Sequence, residues 1–185
     1  GAVNDTANAP SDTASRQVLL ARAGGLVSTF QSLSGQFNQL SSQVQQQIGD
    51  AVNSINSYSD SIAKLNGLIR SSVATGGTPP SDLLDKRDAL VKDLAAQVGI
   101  TVVPQNDNTI NVFVGNGQAL VSDTQYHPGA TAPNVYDATR QEVVGAASGS
   151  VLSGRISGGA LGALMDFRSS VLDPAQTQLG RTAQA

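Results

Sequence analysis

The sequence predicts a mainly α-helical fold with a small β part, built as an elongated antiparallel helical bundle or coiled-coil rod with a β-hairpin excursion. Residues 11–74 lack proline and carry apolar residues in steps of three and four, the spacing of a buried seam on a helix. Strand-like alternation follows around an Asn-Gly pair, and helical spacing returns near the end. These patterns predict four parts: an extended leader 1–10, a long helix with its return helix 11–99, a β excursion 100–157, and a truncated helix 158–185 that rejoins the rod.

The composition excludes several classes of protein and site. Only 14% of residues are charged and the net charge is −3, whereas Ser, Thr, Asn and Gln make up 60 of 185 residues. The absence of cysteine excludes disulfides, thiolate metal sites and cysteine nucleophiles, and a single histidine excludes a His–His metal pair within one chain. Without a basic excess or an apolar run of about 18 residues, neither a nucleic-acid partner nor a membrane span is expected.

The first helix is predicted to begin after Pro10, with Ser11 as its N-cap and Asp12 in its first turn. At 1.5 Å per residue, roughly 64 residues to Ala74 would span ~96 Å. Its glycines each cost about 1 kcal/mol relative to alanine, and a break is most expected near Gly49. The core seam is predicted to consist of Phe30, Leu33, Phe37, Leu40, Val44, Ile48, Ile55, Ile62 and Leu65.

The long helix carries few charges on its outer faces. Between Ser28 and Ala63 the charged residues are Asp50 and Asp60, and Gln, Ser and Asn take the flanking positions where a solitary coiled coil carries charges. This pattern favours a helix that packs laterally on other protein. The alternative is a helix in a soluble bundle with a glutamine-rich outer face.

A Thr-Gly-Gly-Thr-Pro-Pro break over residues 75–80 separates the first helix from a second. Ser81 is the predicted cap of a helix from Asp82 to about Val98, which closes near Gly99. Asp82 and Lys86 have the spacing of a stabilising pair, as do Asp88 and Lys92. This helix is expected to fold back antiparallel on the first.

The β part is predicted from β-branched runs and turn residues. Asn116 and Gly117 indicate a two-residue hairpin turn between two strands. The expected strands are 100–103, 110–114 and 119–121, with a loop over 122–134, short strands at 135–136 and 143–144, and another strand within 151–156.

The last helical segment is predicted to follow the glycine pair at 158–159, with Ser157 as its cap and a helix over 160–171. Asp173 and Pro174 then restart or kink it, with Asp173 as N-cap. The final residues remain helix-like without a stop signal, so we expect the chain to be a fragment of a longer protein.

No pattern in the chain predicts a catalytic, cofactor-binding or metal-binding site. His127 lies in a polar loop without a predicted partner, which is typical of a solvated histidine. The aspartates at 82, 85 and 88 alternate with Lys86, Arg87 and Lys92, which would neutralise a metal site. The Gly-x-Gly at 115–117 lacks the third glycine of a dinucleotide fingerprint. A structural, non-enzymatic protein is therefore expected.

Four colinear segments, 8–20, 82–90, 111–120 and 158–174, resemble the flagellar hook-associated protein 1 (FlgK) family of bacteria. Of these, the D-L-L-D-x-R-D and L-x-D-F-R stretches are most typical of that family. The positions that carry the resemblance are Ser11, Asp12, Arg16, Asp85, Arg87, Asp88, Gly115, Gly117, Asp166, Phe167, Arg168 and Pro174.

The resemblance implies a flagellin-like D1 rod domain in a structural subunit of the hook–filament junction. It also implies export through the flagellar type III channel, an extracellular location, and three partners: neighbouring copies in a ring, the hook protein, and the second junction protein FlgL. An export chaperone is expected to bind regions outside this chain. Subunit contacts are expected on the polar faces around Gln43, Gln46 and Asn53, although the chain alone is expected to be monomeric.

Two alternatives remain open. The chain could be part of another flagellin-like axial or filament protein, which would polymerise on its own. It could also be the non-catalytic part of a secreted adhesin or enzyme whose active domain lies elsewhere.

Overall fold

A computed structural model describes residues 13–74, 76–115 and 117–183. The predicted leader 1–10, the Ser11 cap, Asp12 and the turn residue Asn116 lie outside the described residues. By internal contacts the chain divides into two compact units, one comprising residues up to Ser42 with those from Ser170 onward, the other Gln43–Ser169. The four-part division expected from the sequence stays a prediction.

The first helix, α1, is continuous over Thr13–Ala74 and has 62 residues. The predicted end at Ala74 is confirmed, and the break considered near Gly49 does not occur. A glycine inside a helix costs about 1 kcal/mol. The burial of Val44, Ile48 and Ala51 around Gly49 more than offsets this cost.

The second helix, α2, comprises Ser81–Gln97 and ends at the extended residue Val98. The prediction of Ser81 as N-cap is wrong, because Pro80, with φ −60° and ψ 124°, already takes the extended position before the helix. Lys86 Nζ lies 3.4 Å from Asp82 Oδ2, as predicted. The helix packs against a later helix, Gly159–Phe167 (α3), and its expected packing on α1 stays a prediction.

Four strands form an antiparallel sheet in chain order: β1 Ile100–Pro104, β2 Ile110–Val114, β3 Gln118–Ser122 and β4 Gln125–Tyr126. The predicted alternation is confirmed, since Ile110, Val112 and Val114 are buried. The hairpin between β2 and β3 has three connecting residues instead of two, because Val114 pairs with Gln118.

The predicted loop over 122–134 is wrong, because it contains β4 and a fifth strand, β5 Gly129–Pro133. β5 pairs antiparallel with β6 Gln141–Gly145, with Gly129 opposite Gly145. The Gly-Ala-Thr-Ala-Pro sequence of β5 has low strand propensity, so its pairing depends on the partner strand.

The short strand predicted at 135–136 does not form. Val135 and Tyr136 lie in the connection between β5 and β6, outside the ladder. The strand predicted within 151–156 reduces to one bridge between Val151 and Val144, followed by a 3-10 turn at Ser153–Arg155.

The chain ends in α3, a π-helical turn at Arg168–Leu172, and α4 Asp173–Thr182. Gly158, not Ser157, precedes α3, and the α geometry stops at Phe167 instead of residue 171. Pro174 has no N–H to donate, and its ring clashes with the carbonyl group four residues earlier in an α-helix. The wider π-helical turn before α4 leaves room for the proline ring. Asp173 is consequently the first residue of α4 and not its N-cap.

The apolar core lies mainly in the unit Gln43–Ser169. Fully buried side chains from α1, α2 and the sheet include Ile48, Ile62, Leu94, Val112 and Val121. In the other unit, Leu172 is the buried residue among those described. Within the described ranges, no helix combines the length and hydropathy that crossing a membrane would need.

Candidate functional site

Amide side chains of α1 hold the strands by hydrogen bonds. Asn66 is fully buried, and its Nδ2 donates to the backbone oxygens of Ile110 and Asp123 at 2.8 and 2.6 Å. Its Oδ1 accepts from the backbone N–H of Ile110 at 3.2 Å. Asn66 therefore satisfies both backbone groups of Ile110 as a neighbouring strand would.

Two further amides on α1 also bond the β part, and Asn56 repeats the paired arrangement. Asn56 donates to the oxygen of Gly129 and accepts from its N–H, both at 2.8 Å. Gln45 Nε2 donates to the oxygen of Thr139, in the β5–β6 connection, at 2.7 Å. Each amide thus fixes a different stretch of the β part to α1.

Two arginines hold the turns whose backbone is most unusual. Asn108 and Asp123 are the described non-glycine residues with positive φ, at 65° and 56°. Arg70 Nη1 lies 2.6 Å from both carboxylate oxygens of Asp123, and the buried Arg87 donates to the oxygen of Asn108 at 2.7 Å. Contacts from the helices therefore support two left-handed turns.

We call Gln45, Asn56, Asn66 and Arg70 the clasp residues. They are 11, 10 and 4 residues apart, which is about three, three and one helical turns. This spacing places them on one side of α1. The sequence analysis predicted that neutral polar residues of the helix contact other subunits, and it did not identify the clasp residues. One neutral amide among many has no feature in the sequence that shows whether it is buried.

A buried charged cluster fixes β6. Glu142 Oε1 accepts from Asn134 and Arg140 at 3.0 and 2.9 Å, and Oε2 lies 3.4 Å from Arg168 Nη2. Burial raises the pKa of Glu142, but hydrogen bonds from Ser153 and Asn134 and the two arginine charges outweigh it. The pKa is therefore held below its usual value of 4.5. A cavity of about 700 Å³ adjoins this cluster, and the carboxylate at its edge is already bonded to protein groups.

Turn hydrogen bonds also lower two aspartate pKa values. A side-chain and a backbone hydrogen bond from Thr109 lower the pKa of Asp107, and corresponding bonds from Thr139 lower the pKa of Asp137. The hydrogen bonds that lower these pKa values also hold the turns, at the β1–β2 and β5–β6 connections.

The glycine motif 115–117 has a structural role at Gly115. Its φ is +56°, and a Cβ there would lie 2.5 Å from the backbone oxygen of Arg155. Gly159, with φ +62°, similarly lets the start of α3 approach Val98, whose nitrogen would lie 2.4 Å from an added Cβ. Side chains are excluded at both positions.

The other positions that carried the resemblance have varied surroundings. Arg87 and Arg168 are buried, and Phe167 is half-buried. Arg168 Nη1 donates to the oxygen of Gln141 at 2.5 Å. The exposed positions are Arg16, Asp85, Asp88, Gly117, Asp166 and Pro174, whereas Ser11 and Asp12 lie outside the described residues.

Burial along the proposed core seam changes near residue 44. The buried members are Val44, Ile48, Ile55 and Ile62, and the half-buried members are Phe30, Phe37 and Leu65. Leu33 and Leu40 are exposed, at 39% and 37%. Gln43, Gln46 and Asn53, assigned to subunit contacts, are exposed; that role stays a prediction.

The geometry presents no catalytic or metal-binding arrangement in the described part of the chain. His127 is exposed, and its backbone N–H donates to Leu120. Across residues 13–74, 76–115 and 117–183, no three His, Asp or Glu side chains group closely enough to hold a metal ion. The amides among the clasp residues bind the chain's own peptide groups, and Arg70 binds the carboxylate of Asp123, which gives all four a structural role.

The comparisons with known proteins found flagellar relatives. The family model described as "Flagellar hook-associated protein FlgK helical domain" matches residues 1–185. Flagellar hook-associated protein 1 of Salmonella typhimurium is 37% identical over 179 residues, which covers 94% of this chain and 32% of the relative. The corresponding protein of Escherichia coli K12 is 35% identical over 179 residues, covering 94% of this chain and 33% of its own length.

A solved structure agrees with the sequence relatives. The flagellar hook junction protein FlgK from Burkholderia pseudomallei superposes with a TM-score of 0.87 at 36% identity, covering 97% of this chain and 33% of that chain. The chain therefore spans about a third of the length of these relatives. With its family model, its sequence relatives and its fold in agreement, the chain belongs to the FlgK family of flagellar hook-associated proteins.

Proposed function

We propose that this chain is part of a structural subunit of the bacterial flagellum that forms the junction between hook and filament. The observation that carries the proposal is the TM-score of 0.87, at 36% identity, with a protein described as a flagellar hook junction protein. The family match over residues 1–185 supports the same assignment.

The contacts of the site support a structural role. The amides among the clasp residues, together with Arg87, bond strand and turn backbone to helices, and Arg70 pairs with the Asp123 carboxylate. The buried cluster around Glu142 fixes the last strand. Because the buried groups among these, Asn66, Arg87 and Glu142, are costly to separate from their partners, the β part keeps one orientation on the helix. A subunit between two polymers requires such a fixed orientation.

The further parts of this proposal concern partners and location. The subunit is not an enzyme, lies outside the cell in the flagellum, and reaches it through the flagellar type III channel. Its partners are further copies in a ring, the hook protein and FlgL, and an export chaperone binds outside these 185 residues. The names of the relatives, which describe hook-associated and junction proteins, support the flagellar location and the hook as a partner. The export route, the ring, FlgL and the chaperone rest on the family resemblance.

Deletion of the gene tests the proposed function. The expected phenotype is hooks without filaments, flagellin shed into the medium, and loss of motility, all restored by the full-length gene on a plasmid. Motile cells with normal filaments would overturn the proposal. Polymerisation of the purified full-length protein into long filaments would instead favour a filament protein. Hydrolytic activity that depends on His127 or Asp85 would favour an enzyme.

A further inference from the structure

The asparagine of α1 that holds β2 is followed directly by glycine. Asn66–Gly67 is one of two Asn-Gly pairs in the 185 residues, and the other is Asn116–Gly117. In an unfolded chain this dipeptide is the one most prone to deamidation, because glycine has no side chain to keep its backbone nitrogen away from the asparagine amide. A reactive pair therefore lies at a residue on which the attachment of the β part depends.

Deamidation of this pair needs only the chain and water. The backbone nitrogen of Gly67 attacks the side-chain carbonyl carbon of Asn66, and its proton passes through water to the amide nitrogen, which leaves as ammonia. Water then adds its hydroxyl to either carbonyl of the cyclic imide, returns a proton to the nitrogen and opens the ring. The products are aspartate and isoaspartate, and isoaspartate has a main chain that is longer by one methylene.

The folded chain keeps the two reacting groups apart. Asn66 is fully buried, and hydrogen bonds to the backbone of Ile110 and Asp123 fix its side chain. Gly67 lies inside α1, where the backbone N–H of residue 67 donates to the carbonyl of residue 63 and the preceding ψ is about −42°. Ring closure requires the Gly67 nitrogen to turn toward the Asn66 side chain, so the helix must open before the reaction can occur.

Neither product can restore the contact with the strands. Nδ2 of Asn66 donates to the oxygens of Ile110 and Asp123 at 2.8 and 2.6 Å. Aspartate replaces this donor with a carboxylate oxygen, which would place a negative charge against two carbonyl oxygens at a fully buried site. Isoaspartate lengthens the main chain inside α1, which breaks the regular repeat of helical hydrogen bonds.

We propose that Asn66–Gly67 is a deamidation site of the unfolded chain, that folding protects it, and that its deamidation prevents the β part from packing on α1 again. Each period of unfolding therefore leaves a share of the molecules unable to refold. The reaction depends on the unfolded chain and water alone, so it occurs whether or not the protein acts at the hook–filament junction.

Peptide mapping of the full-length protein tests the site. Trypsin cleaves after Lys64 and Arg70, so residues 65–70 form one peptide in which Asn66 is the only asparagine. One sample is aged in its native state and another in guanidinium chloride, at the same mildly alkaline pH, and mass spectrometry follows deamidation of this peptide. Because a folded protein is unfolded in a fraction of only about 10⁻³ to 10⁻⁶, Asn66 should deamidate at least about 100-fold more slowly in the native sample.

Gly67→Ala is the matched variant. Its Cβ would lie 3.7 Å from Cγ2 of Thr124, an ordinary van der Waals distance, so the fold should be kept. The methyl group hinders the approach of the backbone nitrogen, and deamidation of Asn66 in guanidinium chloride should slow by about tenfold. Asn116–Gly117 is the internal reference, because in guanidinium chloride it should deamidate at the same rate in both proteins. The rates measured in guanidinium chloride do not require the variant to fold.

Refolding of a partly aged sample tests the consequence. After guanidinium chloride is removed, a pulse of thermolysin digests the chains that have not refolded, and the surviving chains are mapped with trypsin. The survivors should carry about tenfold less deamidated Asn66 than the sample before the pulse, since the buried carboxylate destabilises the fold. Aged Gly67→Ala should survive the pulse as well as a fresh sample of the same variant.

Four results would overturn the proposal. They are an absence of deamidation at Asn66 in guanidinium chloride, equal rates in the native and unfolded samples, an unchanged rate in Gly67→Ala, and survivors as rich in deamidated Asn66 as the starting sample. Each result is read from a peptide and not from filaments or motility. A failure here therefore leaves the proposed function standing, and a failure of the gene-deletion test leaves the deamidation site standing.

Discussion

The two halves of α1 carry the same apolar spacing but differ in burial. Residues 44–69 contribute ten buried positions, whereas every described helix residue up to Ser42 is exposed or half-buried. The second half contacts strands through Asn56 and Asn66 as well as through its apolar seam. Apolar residues in steps of three and four therefore predict which face of a helix is apolar. The spacing does not predict whether that face is buried in the folded chain.

The largest expected contrast comes from removing one seam side chain in each half. Ile62→Ala removes a fully buried side chain, so the free energy of unfolding should fall by about 2–5 kcal/mol. Leu33→Ala, at a site 39% exposed, should cost less than about 1 kcal/mol. Urea unfolding of the 185-residue chain, followed by circular dichroism, measures both. Equal losses at the two sites would contradict the difference in burial.

A second contrast uses the same residue type in both halves. Asn66→Ala leaves the backbone groups of Ile110 without their partner, which should cost about 3 kcal/mol. Asn38→Ala changes an exposed asparagine of the first half and should leave the stability within about 0.5 kcal/mol. The same unfolding experiment compares them, and a stability loss below that of Asn38→Ala would show that Asn66 does not hold the strand.

Glycine-to-alanine changes should have opposite signs in the two regions. Gly35→Ala meets no atom within 4 Å and should stabilise the helix by about 0.5–1 kcal/mol. Gly115→Ala would require a left-handed residue with its Cβ 2.5 Å from the Arg155 oxygen, and should destabilise by about 2 kcal/mol. Thermal unfolding midpoints report the sign of each change. A stabilised Gly115→Ala would refute the close approach.

The smallest expected effect is a pH dependence confined to the second region. The pKa of Glu142 is lowered in the folded state, so its ionised form contributes stability above the unfolded-state pKa. That stability is lost as the pH falls through the folded-state pKa. Between about pH 6 and pH 3, the unfolding free energy of Glu142→Gln should therefore fall less than that of the natural chain. Parallel profiles for the two proteins would indicate that Glu142 does not contribute in this way.

Much of the element order could be predicted from local patterns. The proline-free seam predicted α1 to its last residue, and the alternation of Ile110, Val112 and Val114 predicted the buried face of β2. Local patterns were misleading where local preference and tertiary pairing disagree. Val135 and Tyr136 have high strand propensity yet lie outside the ladder, while the Gly-Ala-Thr-Ala-Pro stretch of β5 pairs within it.

The candidate site was less predictable than the fold. The motif residues Arg87 and Gly115 were identified through the resemblance, but their contacts with Asn108 and Arg155 join residues far apart in the chain. Asn56 and Asn66 were not identified at all, because they resemble every other polar residue of a glutamine- and asparagine-rich helix. Only the partner backbone distinguishes them from the exposed Asn53.

The sequence by itself determined the long helix, the small β part and the family, because these depend on periodicity, turn residues and colinear motifs within short stretches. The tertiary structure decided which half of the seam is buried, which amides hold the strands, and that Val135 and Tyr136 face outward. The physical reason is that burial and hydrogen bonding belong to pairs of groups. The type of a residue limits which groups it can pair with. Its actual partner lies in a distant part of the chain, and the tertiary structure brings the two together.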